Sequence, residues 1–457
     1  MPSNFASGAV ALSSPATSQH PFAPALYAWI VVLICGAIFV DRGPMRAADP
    51  AVNMDAPLLL AAATAWRRGG DPYDPVSVAR ALGENASLAS KTLERGRQAF
   101  VYPPPVYALL APITYLPWAA QRWAWNLLNI AMYLTSLALI CGIVRAPLRS
   151  AAGVAILGIG LATDPAHICI ALGQTGVAVL FLMSVSWFLA PGGVEPTTRY
   201  RFAVAALAMG AAAIIKPQIA LIFMICDYFT GRRTVAAGAV AAASVLFVGA
   251  LAIHGDALAQ TQSWIANMHA LMHGDADPLN SPLPHQMINL QSPLAVLTGS
   301  RELSTALALA ACALLGIVYA WIDRHMQAST EEDPRMVWLN ALSAASILML
   351  LIFYHRLYDA VFLMIPGAFA IRQIVVRQWR GWALLALLVP VWYPLSSALY
   401  RALGLSGSFD VTTAVQILLV QHQTWFLVAA FLLVCEIRRR HSNGSRAYRA
   451  FAPQPLI

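Results

Sequence analysis

Residues 202–230 read FAVAALAMGAAAIIKPQIALIFMICDYFT, two apolar runs that meet at Lys216-Pro217. Neither run reaches the roughly 20 residues that carry a simple helix across a bilayer. Proline has no amide proton for a continuing helix, so 202–215 and 217–230 read as half-helices or a tight hairpin lining a cavity. An amine in that position needs a partner, a water-filled cavity or a route to the interface.

Outward from this break, apolar runs of spanning length fall near 25–41, 120–143, 173–190, 234–253, 303–323, 337–353, 359–377, 381–399 and 411–435, with a third short run at 151–163. The 457 residues are 59% hydrophobic and 11% charged, against about 25% charged in a soluble domain. A soluble globular protein is excluded, and an all-α, polytopic integral membrane protein of about 12 transmembrane helices is expected. Arginine in short loops marks the cytoplasmic side. Arg145, Arg149, Arg199, Arg201, Arg232, Arg233, Arg324, Arg335, Arg372, Arg377, Arg380 and the Arg438-Arg439-Arg440 tail all fall there if the chain crosses twelve times. Both termini are then cytoplasmic: a disordered segment 1–24, a membrane domain 25–436 and a tail 437–457. Loops of about 42–119 and 254–302 face outward from an inner or plasma membrane. Residues 1–24 carry no Lys or Arg and so lack the basic region of a signal peptide.

The net charge of +8 is scattered arginine with no basic stripe, so nucleic acid is not an expected partner. The six cysteines have no CxxC or CxxH spacing and imply neither disulfide nor metal. No phosphate-cradling glycine loop or zinc-type spacing appears, and no cofactor is expected.

The first long loop contains Met54-Asp55-Ala56-Pro57-Leu58-Leu59-Leu60-Ala61-Ala62-Ala63-Thr64-Ala65-Trp66, closed by Arg67-Arg68-Gly69-Gly70. Pro57 suits a first helical turn and Gly69 a C-terminal stop. At about 12 residues it is too short to span, so an interfacial helix lying on the membrane is expected. Asp71-Pro72-Tyr73-Asp74-Pro75 follows as a turn.

Ionisable residues in or beside spans are functional candidates, because burying a charge in hydrocarbon is costly. Asp55 can take a proton from a sugar hydroxyl as that oxygen attacks carbon, or cap its helix. Asp41 competes with it from the end of the first span. Tyr354-His355-Arg356-Leu357-Tyr358-Asp359 is the densest polar cluster between two spans. His355 and Arg356 can bind a phosphate diester; alternatively the segment is a solvated connector with Arg356 paired to Asp359. Lys216 can neutralise an anionic lipid head group or snorkel to the interface. Gln174, Asn289 and Gln291 can hydrogen-bond sugar hydroxyls, or serve caps and loops.

In chain order, the Asp55-led helix with Arg68-Gly69-Gly70-Asp71-Pro72-Tyr73-Asp74 is followed by Phe100-Val101-Tyr102-Pro103-Pro104-Pro105 with Leu116-Pro117. Then come Gly173-Gln174, Ile215-Lys216-Pro217, Asn289-Leu290-Gln291-Ser292 and the late polar pair. This series resembles glycosyltransferase family 87, the polyprenol-phosphate-mannose-dependent mannosyltransferases of C-type fold. The resemblance implies inverting transfer of a hexose, mannose by analogy, from a polyprenyl-phosphate donor to a glycolipid or glycan acceptor among membrane lipids at the outer face. It implies Asp55 as catalytic base, with Lys216, His355 and Arg356 stabilising the leaving phosphate. Tyr102, Gln174, Asn289, Gln291 and Asp359 complete the expected substrate-binding set, and no obligatory metal is implied. The competing reading is a transporter or flippase of lipid-linked sugars, which should show matching broken helices in two halves; no such pairing is found.

Overall fold

The computed structural model describes residues 22–49, 55–83, 101–192, 198–254, 256–274, 286–326, 333–352, 354–395 and 420–451, with isolated positions between them. Residues 1–21 of the expected N-terminal segment, Phe100, 411–419 of the expected last span, 280–285 of the second long loop and 452–457 of the tail lie outside the described residues.

The chain is all-helical, and no strand occurs among the described residues beyond an isolated antiparallel bridge between Met287 and Arg356. The first elements are α1 (Phe22–Arg42), α2 (Pro44–Ala48), α3 (Asp55–Arg67), α4 (Pro75–Leu82) and α5 (Pro104–Leu110). They are followed by α6 (Trp118–Ile143), α7 (Ala151–Ala162), α8 (Asp164–Leu172) and α9 (Gly176–Leu189). The central break is flanked by α10 (Arg199–Ile215) and α11 (Pro217–Phe229), after which come α12 (Arg233–His254) and α13 (Ala257–Met272). The last part holds α14 (Gln291–Thr298), α15 (Arg301–Met326), α16 (Pro334–Ile352), a 3-10 turn (Leu357–Leu363), α17 (Met364–Val375), α18 (Trp379–Trp392) and α19 (His422–Phe451).

Among the described residues six helices are long and apolar enough to cross a membrane, or seven if the pair α7 and α8, bent by 52°, is one span. The sequence reading reaches twelve because it also counts shorter apolar helices such as α9, α11 and α18, which are helical but below spanning length alone. The molecule is a multi-pass membrane protein. Its lipid-type surfaces are the exposed apolar faces of α1, α12 and α15, where Leu33, Val245 and Ile317 stand out from the protein. Helices α16 and α17 are buried along most of their length.

Helix α3 corrects one expectation. Every residue from Ala56 to Trp66 is buried within the protein, so the helix is walled in rather than laid on a membrane surface with one face in lipid. It packs against α4, α5 and α6. Its sequence gives the reason: Leu58 to Ala63 is apolar on all sides, and a helix apolar all round is a buried one. Gly69, at φ +80°, ends it as expected, with the Gly70 amide returning to Ala65 O at 2.9 Å. The Asp71–Pro75 turn also forms as expected. Asp71 Oδ1 accepts from the Tyr73 amide at 2.8 Å, and the Asp74 carboxylate caps α4 through the Val76 and Ser77 amides.

Candidate active site

The candidate residues sit where helices begin, end or break. Asp55 starts α3, Tyr102 precedes α5, Gln174 and Thr175 separate α8 from α9, Lys216 separates α10 from α11, and His355 to Asp359 join α16 to α17. Polar side chains collect at such points because the backbone there is already unpaired and the helices on either side can stay apolar.

Two hydrogen-bonded groups result. In the first, Gln174 Nε2 donates to Asp55 Oδ2 at 2.5 Å, Tyr102 OH donates to Gln174 Oε1 at 3.3 Å, and Thr175 Oγ1 donates to Tyr102 OH at 3.3 Å. Asp55 is half-buried, whereas Gln174 is buried. Gly173 places the amide: at φ +70° it closes α8, with the Gln174 amide bonded to Cys169 O at 2.9 Å, and its own carbonyl accepts from Trp125 Nε1 at 2.9 Å. In the second group, Lys216 Nζ donates to Asp359 Oδ1 at 2.6 Å, and His355 Nδ1 meets Asp359 Oδ2 at 3.1 Å. Lys216 and Asp359 are 7% and 4% exposed, so the amine finds a buried anion instead of snorkelling to the interface.

Gly176 joins the two groups. A Cβ added there would lie 3.3 Å from Cys169 Sγ, 3.6 Å from Asp359 Oδ1 and 3.8 Å from Lys216 Nζ. The bare first turn of α9 therefore lets the buried ion pair nest immediately after Gln174 and Thr175.

Tyr102 is fixed from the far side. Tyr73 OH donates to Tyr102 O at 2.7 Å, and Trp264 Nε1 on α13 donates to Val101 O at 3.0 Å. Ser263 Oγ on the same helix donates to Asp71 Oδ2 at 3.1 Å. Burial pushes the Tyr73 and Tyr102 hydroxyls above the usual tyrosine range, so both remain protonated donors at neutral pH.

Other candidates fall differently. The Asp359 carboxylate is engaged by Lys216 and His355, while the Arg356 Nε donates to the Tyr354 hydroxyl. Asn289 Oδ1 accepts from the Ser292 amide in the first turn of α14 at 3.1 Å, and Gln291 turns to Thr305 Oγ1 on α15 at 2.7 Å. Asp164, at the α7/α8 bend, pairs with Arg42 at 3.2 Å. Among the described residues no three His, Cys, Asp or Glu side chains gather in a way that could hold a metal ion.

The sequence reading passed over Thr175 and Gly176, and also Gln421 and Thr424 at the start of α19. Gln421 Nε2 donates to Ser292 Oγ at 2.9 Å, and Thr424 Oγ1 donates to Asn289 O at 3.2 Å. The signal was available: Gln421-His422-Gln423-Thr424 places four polar residues inside an apolar run.

As a whole the site offers a half-buried carboxylate oriented by an amide, with a buried lysine paired to an aspartate and a half-buried arginine on the segment that carries that aspartate. A search of protein families matches the glycosyltransferase family 87 model to residues 100–353, more than half of the chain, including Tyr102, Gln174, Lys216, Asn289 and Gln291. No curated protein and no solved structure matches the chain significantly.

Proposed function

Because the chain belongs to glycosyltransferase family 87 and is therefore a membrane glycosyltransferase, we propose that it transfers a hexose, mannose, with inversion from a polyprenyl-phosphate donor to a glycolipid or glycan acceptor at the outer face of the membrane. Asp55 accepts the proton of the acceptor hydroxyl as that oxygen attacks the anomeric carbon. The bond from that carbon to the phosphate oxygen breaks, and its electron pair leaves with the polyprenyl phosphate. Arg356 supplies a cation at the leaving phosphate. Lys216 contributes oriented N–H donors rather than a free charge, since Asp359 matches its charge. His355, its Nδ1 held by Asp359, presents its Nε2 toward the same group.

The observation that carries this reading is Asp55 itself. It is a half-buried carboxylate at a helix start, gripped through Oδ2 by Gln174, and an oriented carboxylate of this kind supports the reading of a general base acting on an uncharged hydroxyl. The alternative of a flippase needs no such base. In the test, the full-length protein in lipid receives polyprenyl-phosphate-mannose and an envelope glycolipid extract, and the lipid products are weighed by mass spectrometry. Asp55→Asn keeps the size and the helix-capping ability of the side chain but not its basicity, and transfer is expected to fall by at least about 100-fold. Equal transfer by the variant removes Asp55 from the mechanism.

A further inference from the structure

Asn289 and Gln421 lie far apart in sequence but share one serine. Asn289 Oδ1 accepts from the Ser292 amide at 3.1 Å, and Gln421 Nε2 donates to Ser292 Oγ at 2.9 Å. Thr424 Oγ1 fixes the Asn289 carbonyl at 3.2 Å, and the Ser292 hydroxyl also reaches Met287 Sδ at 3.7 Å. Asn289 and Gln421 are each 1% exposed.

Half of each amide is left over. Asn289 Nδ2 and Gln421 Oε1 are both buried without a hydrogen-bond partner. Both amides are anchored on Ser292 through their other atom, so the two unmet atoms belong to one hydrogen-bonded cluster. Turning the Gln421 amide over changes which of its atoms meets Ser292 Oγ and still leaves the other unmet. Buried polar atoms are nearly always satisfied, and each of these two retains the capacity for one further hydrogen bond. A hydroxyl fits either arrangement, because it donates one hydrogen bond and accepts two.

The cluster also adjoins the site. The Ile288 amide donates to the carbonyl of His355 at 3.2 Å, and the Leu290 amide donates to Leu351 O at 3.0 Å, so the Asn289 segment runs beside the segment that carries His355 to Asp359. Asn289 falls inside the family-matched stretch and Gln421 outside it.

We propose that Asn289 and Gln421, braced by Ser292 and Thr424, form a hydroxyl-binding subsite that takes a sugar ring of the acceptor. The proposal rests on the glycosyltransferase reading above and assigns acceptor recognition to residues outside the base and the phosphate-facing cations. An ordered water has the same hydrogen-bonding chemistry and is the other source of the hydroxyl.

The test uses the full-length protein in lipid nanodiscs, with polyprenyl-phosphate-mannose as donor and octyl α-mannoside and its monodeoxy analogues as acceptor probes. Gln421→Met, close in size but without the amide, is expected to raise the acceptor KM about tenfold, the factor for one hydrogen bond of ordinary net strength, with the donor KM unchanged. One monodeoxy analogue should cost the wild type the same factor and cost Gln421→Met nothing further, since the lost partners are the same pair. Gln421→Asn, which retains an amide, should recover part of the affinity and guards against a folding defect. An unchanged acceptor KM, an effect on the donor KM alone, or identical losses with every deoxy analogue in both proteins overturns the subsite and leaves a bound water in the gap.

Acceptor-induced stabilisation, measured as a rise in Tm without donor, separates the two readings. A rise for the wild type that is absent in Gln421→Met, together with no transfer, upholds the subsite and defeats the transferase mechanism. Transfer with an unaltered acceptor KM in Gln421→Met does the reverse, and neither rise nor transfer in the wild type defeats both.

Discussion

Asp359 shows what one residue contributes once its partners are known. With one oxygen on Lys216 and the other on His355, it ties those two side chains together. Removing one partner of a buried ion pair leaves the other charge uncompensated, at about 3–5 kcal/mol. Asp359→Asn should therefore lower stability by that order in thermal or denaturant unfolding of the detergent-solubilised protein. The double variant Lys216→Met/Asp359→Leu should regain most of it while transfer stays absent. An Asp359→Asn protein as stable as the wild type would show that Lys216 finds another anion. Lys216, His355 and Asp359 were each legible in the sequence as costly charges beside apolar runs. Their pairing was not, because Arg356, three residues from Asp359, is the nearer cation along the chain and Lys216 is 143 residues away.

Among the elements, the helix ends carry the site and were the most legible part of the fold. Lys216-Pro217, Asp55 and Gly173-Gln174 each mark a break or terminus in the sequence, and each is one in the structure. At α3 shortness alone suggests a surface helix, but the absence of any polar face is the better guide to its burial. Gly173 offers a test at this scale. Its φ of +70° disfavours any residue with a Cβ, so Gly173→Ala should cost about 1–2 kcal/mol of stability. It should also reduce kcat, because Gln174 no longer lies squarely on Asp55. Full activity with lowered stability would show that Gln174 holds its grip without the turn.

For the whole molecule, the chain order of the apolar segments was readable, whereas the number that reach spanning length was not, since short helices joined at breaks look like spans in a hydropathy pattern. A second set of buried polar contacts ties the helices together elsewhere. Asp227 pairs with Arg232 at 2.5 Å, Arg232 reaches Ser186 O at 3.1 Å, and Arg438 meets Asp323 at 2.7 Å. Tyr319 OH donates to Asn340, whose amide donates to Val434 O, joining α15, α16 and α19. Arg438 lies 17 residues beyond Gln421 in the sequence, about 25 Å along a helix at its usual rise. Arg438→Ala should thus reduce stability by about 3–5 kcal/mol with both KM values unchanged; a shift in either KM would show coupling between the two polar sets. The distance in sequence between Lys216 and Asp359 also has a consequence in time. At roughly 5–20 residues per second of synthesis, the 143 residues between them take about 7–30 s to emerge. For that interval the growing chain holds an amine at a broken helix without the carboxylate that will match it. The break at Lys216 can therefore reach its final pairing only after Asp359 has been made.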